Sequence, residues 1–202
     1  MESKQNNRGL PMSKNFVITV VSIDRVGIIS GLSEAVVELD GNIDALSQTV
    51  VRGYFTVIVT ARFDKDMDPE TVRKAVGGKG APGELSVVVR ERDFSAGRSV
   101  VKDAETFILT ITGPDRKGII HRITSHLATR GINIADLYAT VEGEGFLLIA
   151  QLEVPVGLEI ERMQMDVQDL WPEGDVRVSL QHQNIFLATS HVDFRQTSSR
   201  KR

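Results

Sequence analysis

An internal repeat limits what this chain can fold into more than any other feature. When the 202-residue sequence is displaced by 91 positions against itself, Phe16–Phe63 lies on Phe107–Val154 without a gap, and 14 of the 48 pairs are identical. The identities include Asp24/Asp115, Arg25/Arg116, Gly27/Gly118, Ile28/Ile119, Ile29/Ile120, Asn42/Asn133 and Ile43/Ile134, and nine of the other 34 pairs exchange one aliphatic for another. A fixed offset shared by Asp-Arg-x-Gly-Ile-Ile and Asn-Ile indicates one supersecondary unit copied once.

Each copy reads alike. Phe16–Ser22 and Thr106–Thr112 are β-branched apolar runs suited to central strands. A polar turn with glycine follows. Next comes a helical stripe, Ile28, Leu32, Ala35, Val36 and Leu39 in the first copy and Ile119, Ile123 and Leu127 in the second. Asn-Ile opens a second strand, and Arg52-Gly-Tyr or Glu142-Gly-Glu-Gly turns the chain into a third. In the second copy Phe146, Leu148, Ala150, Leu152 and Val154 alternate with Leu147, Ile149, Gln151 and Glu153. Asp68-Pro69 predicts a capped helix start. Ile160, Met163, Val167 and Leu170 form the matching stripe, and the last strands are Glu84–Arg90 and Val176–Gln183.

The order β-α-β-β-α-β, twice, predicts an α+β protein of two ferredoxin-like units in tandem. In each, helices cover one face of a four-stranded antiparallel sheet. The predicted domains are 15–93 and 105–186, joined by a linker over 94–104. Residues 1–14 and the basic 187–202 read as disordered tails.

Charge and composition narrow the function. The chain has net charge −3, but 15–93 carry 9 basic and 12 acidic residues and 105–186 carry 6 and 12, leaving the remainder at +6. Acidic folded units with positive tails are the reverse of a duplex-binding domain, so direct nucleic-acid binding is not expected. Cysteine is absent, which excludes disulfides, thiolate nucleophiles and cysteine-ligated metals and fits a cytoplasmic home. No apolar run is long enough to span a bilayer, and the polar start is no secretory signal.

The turn can be read from its residues. Asp24 and Asp115 are placed to cap the first helix, whose N–H groups and positive dipole end suit a carboxylate. Gly27 and Gly118 leave room for a close approach. Asn42 and Asn133 each offer a donor and an acceptor. The same residue types also serve as ordinary folding devices.

Through Asp24-Arg-Val-Gly-Ile-Ile … Asn42-Ile and Asp115-Arg-Lys-Gly-Ile-Ile … Asn133-Ile, the chain resembles the ACT domain. Two such domains resemble the glycine cleavage system transcriptional repressor family and other ACT-only regulatory proteins. The resemblance covers about 160 residues and implies a non-enzymatic regulator that binds a small effector, an amino acid, at the interface between paired domains. It places the site near the turn after strand one and the start of strand two, on Asp24, Arg25, Gly27 and Asn42 with Asp115, Arg116, Gly118 and Asn133. It also implies action through a partner protein such as a transcription factor. The alternative from a different class is an interaction module without a small-molecule effector.

Other patterns carry no chemistry. Asp64-Lys-Asp-Met-Asp68 opens like a calcium loop, but Pro69 and Ala75 stand where glycine and glutamate are required. Gly77–Gly83 lacks the phosphate-loop spacing. His121 and His126 are five apart and share no helical face; His182 and His191 have no partner by sequence. No metal, cofactor or catalytic constellation is assigned. Two surface features point to assembly. Glu34, Glu38, Asp40 and Asp44 in the first copy face the possibility of pairing with Arg116, Lys117, Arg122 and Arg130 in the second. Leu147 and Ile149 lie on the sheet face away from the helices, so the chain is expected to form a homodimer.

Overall fold

Both runs that open the copies become central strands. The computed structural model describes residues 13–92 and 103–187, which fall into two compact units, one within Met1–Ala96 and one within Gly97–Arg202. The first contains β1 (Lys14–Ile23), α1 (Ile28–Glu38), β2 (Gly41–Val51), β3 (Tyr54–Phe63), α2 (Pro69–Gly77) and β4 (Ser86–Glu91). The second contains β5 (Ala104–Pro114), α3 (Ile119–Thr129), β6 (Asn133–Glu142), β7 (Gly145–Pro155), α4 (Ile160–Gln168) and β8 (Arg177–His182).

The sheets are ordered β2-β3-β1-β4 and β6-β7-β5-β8, with every pairing antiparallel. Two tandem ferredoxin-like units are therefore present, as the repeat predicts. Of the predicted tails and linker, Lys14 opens β1, Ala104 opens β5 and Leu187 ends a helical turn after β8. Apart from Ser13 and Asp103, the rest of those segments, and His191, lie outside the described residues.

Burial follows the alternation. Phe146, Leu148, Ala150, Leu152 and Val154 are all buried under α3 and α4 with Met163, Val167 and Trp171. Phe16, Ile18, Val20, Leu32, Val57 and Phe63 form the equivalent core of the first unit, where the Phe16 and Phe63 rings meet at 5.6 Å. Asp68 caps α2 as expected, accepting from the Glu70 N–H at 3.2 Å.

The copies correspond further than the sequence shows. α1 and α3, α2 and α4, and β4 and β8 each begin and end 91 residues apart, although between Phe63 and the end of β4 only Glu70/Glu161, Val76/Val167, Gly83/Gly174 and Val87/Val178 are identical. Even the bulge in the second strand recurs, after Ile43 and after Ile134.

The remaining surface differs from expectation in two ways. Leu147 and Ile149 are half-buried, whereas Ile58, the counterpart of Ile149, is 50% exposed beside Val21 and Val88. Several of the charges expected to pair between copies find partners inside their own unit. Lys79 binds Glu34 at 3.1 Å and Glu38 at 2.7 Å, Lys65 binds Asp40 at 2.8 Å, and Arg130 binds Asp166 at 2.6 Å.

Candidate functional site

The Asp-Arg-x-Gly turn leaves the sheet where the central strand ends. Asp24 and Asp115 do not cap the helices, contrary to the reading of their position. The N-cap residues are Gly27 (φ 95°) and Gly118 (φ 82°), and neither helix has a side-chain cap. Two residues separate each aspartate from its cap glycine. The aspartate backbone is held at the sheet end instead, with Asp24 N–H donating to the Gly53 carbonyl at 2.9 Å and Asp115 N–H to the Glu144 carbonyl at 2.8 Å. Both side-chain carboxylates are exposed and make no hydrogen bond among the described residues.

Glycine suits these caps because left-handed backbone disfavours most side chains. The approach is also open: nothing lies within 4 Å of where a Cβ on Gly118 would sit, and only the Arg25 guanidinium, at 3.8 Å, comes near that of Gly27.

Arg25 and Arg116 point back onto the unit. Arg25 grips Glu84 through two nitrogens, one of them at 3.2 Å. Arg116 binds Asp175 and, at 3.1 Å, Glu173. Glu84 and Asp175 are themselves 91 residues apart. The Arg25 hydrogen bond, helped by the Ala81 N–H at 2.7 Å, holds the Glu84 carboxyl below the usual carboxylate range. The Glu173 carboxyl is lowered first by its own backbone N–H and then by Arg116.

Asn42 and Asn133 lie elsewhere. Asn42 pairs with Arg62, which pairs with Asn15, at the far end of β1 from the turn. At about 3.3 Å per residue, the nine positions from Asn42 to Val51, where β2 reaches the turn end, span roughly 30 Å. The same geometry holds for Asn133, opposite Glu153. The Asn133 amide donates to Glu153 at 2.8 Å, and Asn42 reaches Asp44 at 3.5 Å. Each unit thus unites aspartate, arginine and glycine but leaves its own asparagine at the opposite end.

The comparisons agree with this architecture. The sequence model of the ACT domain matches residues 105–183. A UPF0237 protein of Listeria monocytogenes is 36% identical over 84 residues, which are 40% of this chain and 92% of that relative. The chain belongs to the ACT domain family. Among solved structures, an unknown protein from Galdieria sulphuraria superimposes with TM-score 0.69 at 24% identity, covering 84% of this chain and 98% of that one. A candidate glycine cleavage system transcriptional repressor gives 0.61 at 21% identity, covering 84% and 97%. These likenesses concern the fold.

Seen as ACT units, the halves contain residues that motif reading missed. Glu84 and Asp175 anchor the motif arginines, and their only sequence signal is an acidic residue at the 91-residue offset. Among the described residues no three metal-ligating side chains cluster, and no helix is long and apolar enough to cross a membrane.

Proposed function

We propose that this is a non-enzymatic regulatory protein whose ACT units bind a small zwitterionic metabolite, an amino acid, and through it modulate a partner protein such as a transcription regulator. The uncapped starts of α1 and α3 carry this reading. The N–H groups of Ile28, Ile29 and Ser30, and those of Ile120 and His121, have no acceptor among the described residues. Such N–H groups, at the positive end of the helix dipole, attract a carboxylate. The unpartnered Asp24 and Asp115 carboxylates supply the opposite charge for an ammonium, so the turn suits a molecule with both groups.

In this reading Arg25 and Arg116 position the turn and do not touch the ligand, because their guanidinium groups are committed to carboxylates. A ligand that also meets Asn42 or Asn133 draws that asparagine from a different ACT unit than the turn it occupies. Binding would then regulate by its differential affinity for one pairing of units.

A thermal-shift panel of the twenty amino acids tests this. A ligand at a hundredfold excess over its Kd adds about 2.7 kcal/mol of stability, so one compound should raise Tm by several degrees, and Asn133→Ala should reduce the rise for a ligand that also meets that asparagine. Silence across the panel would favour the second reading, an interaction module that uses the apolar sheet face around Val21, Ile58 and Val88.

A further inference from the structure

The second unit contains a polar triad where the first has apolar packing. Ala35, Leu39 and Ala75 belong to the first core or pack against it. Ninety-one residues on stand His126, Arg130 and Asp166. Arg130 donates to His126 Nδ1 at 3.2 Å from one terminal nitrogen and to the Asp166 carboxylate at 2.6 Å from the other. It therefore ties the end of α3 to the middle of α4. His126 Nε2 is fully buried and has no hydrogen-bond partner among the described residues.

This geometry accommodates one protonation state. Accepting from Arg130 places the single imidazole hydrogen on Nε2. A second proton could go only to Nδ1, where it would oppose the guanidinium N–H and add a cation beside a cation. The charges that act on the imidazole are Arg130, just after α3, and Asp166 on α4; the same helices and their ends also carry Arg122, Glu161, Arg162 and Asp169. Arg122 is engaged with the Leu170 carbonyl at 2.8 Å. Arg162 and Asp169 line a shallow cavity together with Asp166. The strand beneath presents only apolar Leu148, Ala150 and Leu152 to the helices. Burial, and then the Arg130 charge, push the His126 imidazole below its usual range, with Asp166 opposing.

We propose that His126, Arg130 and Asp166 form a proton-operated clasp. With the imidazole neutral, Arg130 joins α3 to α4; proton uptake at Nδ1 expels Arg130 and slackens that helix pair. The sign follows from linkage. The folded unit binds this proton less readily than the unfolded chain, so the contribution is complete above the ordinary histidine value, about pH 6.5, and is lost as pH falls through the lower folded value. The first unit, with alanine and leucine at these positions, contains no such device.

Two measurements on the full chain test the clasp: an NMR titration of the His126 ring, and amide hydrogen exchange from about pH 7.5 to about pH 5.5. His126 should titrate below the ordinary imidazole range. Protection of α3 and α4 should fall on acidification by up to about tenfold per pH unit, while α1 and α2 in the same molecule, and α3 and α4 in His126→Ala, should change less. A titration at or above the ordinary range would mean that Asp166 captures the imidazolium and would overturn the proposal. Equal loss of protection in both units would overturn it as well. The titration needs no variant, so it decides the matter even where His126→Ala does not fold.

Discussion

Gly118 adopts φ 82° with open space where a Cβ would project, so a substitution there tests backbone strain apart from crowding. Gly118→Ala should cost about 1 kcal/mol in chemical denaturation, and Gly118→Asn should cost less, because asparagine tolerates left-handed backbone. Asp68 differs from the turn aspartates because it does cap its helix. Asp68→Ala should destabilise by about 1 kcal/mol, whereas Asp24→Ala should leave stability nearly unchanged and act on ligand binding alone. The contrast also marks what was legible. An aspartate directly before proline announces its cap, but Asp24 stands three positions ahead of a glycine whose left-handed backbone takes the cap position, and composition does not reveal a dihedral angle. The Arg25–Glu84 and Arg116–Asp175 pairs were hidden for another reason: 59 residues separate the partners, and only the folded turn before the last strand brings them together.

Element placement was far easier to read. The stripes on α1 and α3 and the alternation of β7 match burial except at Leu39, which is half-buried past the end of α1, because period and burial have one cause. The stripe on α4 supplies a direct check. Met163 is 3% exposed and Met165 is 60% exposed on the same helix. Met163→Ala should cost 2 kcal/mol or more in denaturant unfolding, on the order of other large core truncations, while Met165→Ala should stay within about 0.5 kcal/mol. The ends of the last strands were harder to place. β4 starts at Ser86, two residues later than the apolar pattern suggests, because Glu84 is drawn into the turn by Arg25 and by the Ala81 N–H. The contact between α3 and α4 was likewise invisible, since a histidine, an arginine and an aspartate gain meaning only against the alanines and leucine of the other copy.

For the whole molecule, duplication supplies two equivalent turns, and any ligand that uses a turn and an asparagine together calls for more than one unit. The apolar face around Ile58 leads us to expect a dimer by light scattering at micromolar concentration; a monomer there would count against assembly through that face. Ligand binding at the uncapped helix starts is tested by a two-dimensional amide NMR titration with the stabilising amino acid. Saturable shifts should centre on Ile28–Ser30 or Ile119–His121 and be lost in Gly118→Val for the second site. Saturable shifts confined to the sheet faces or to the α2 and α4 surfaces, with both turns unmoved, would contradict it.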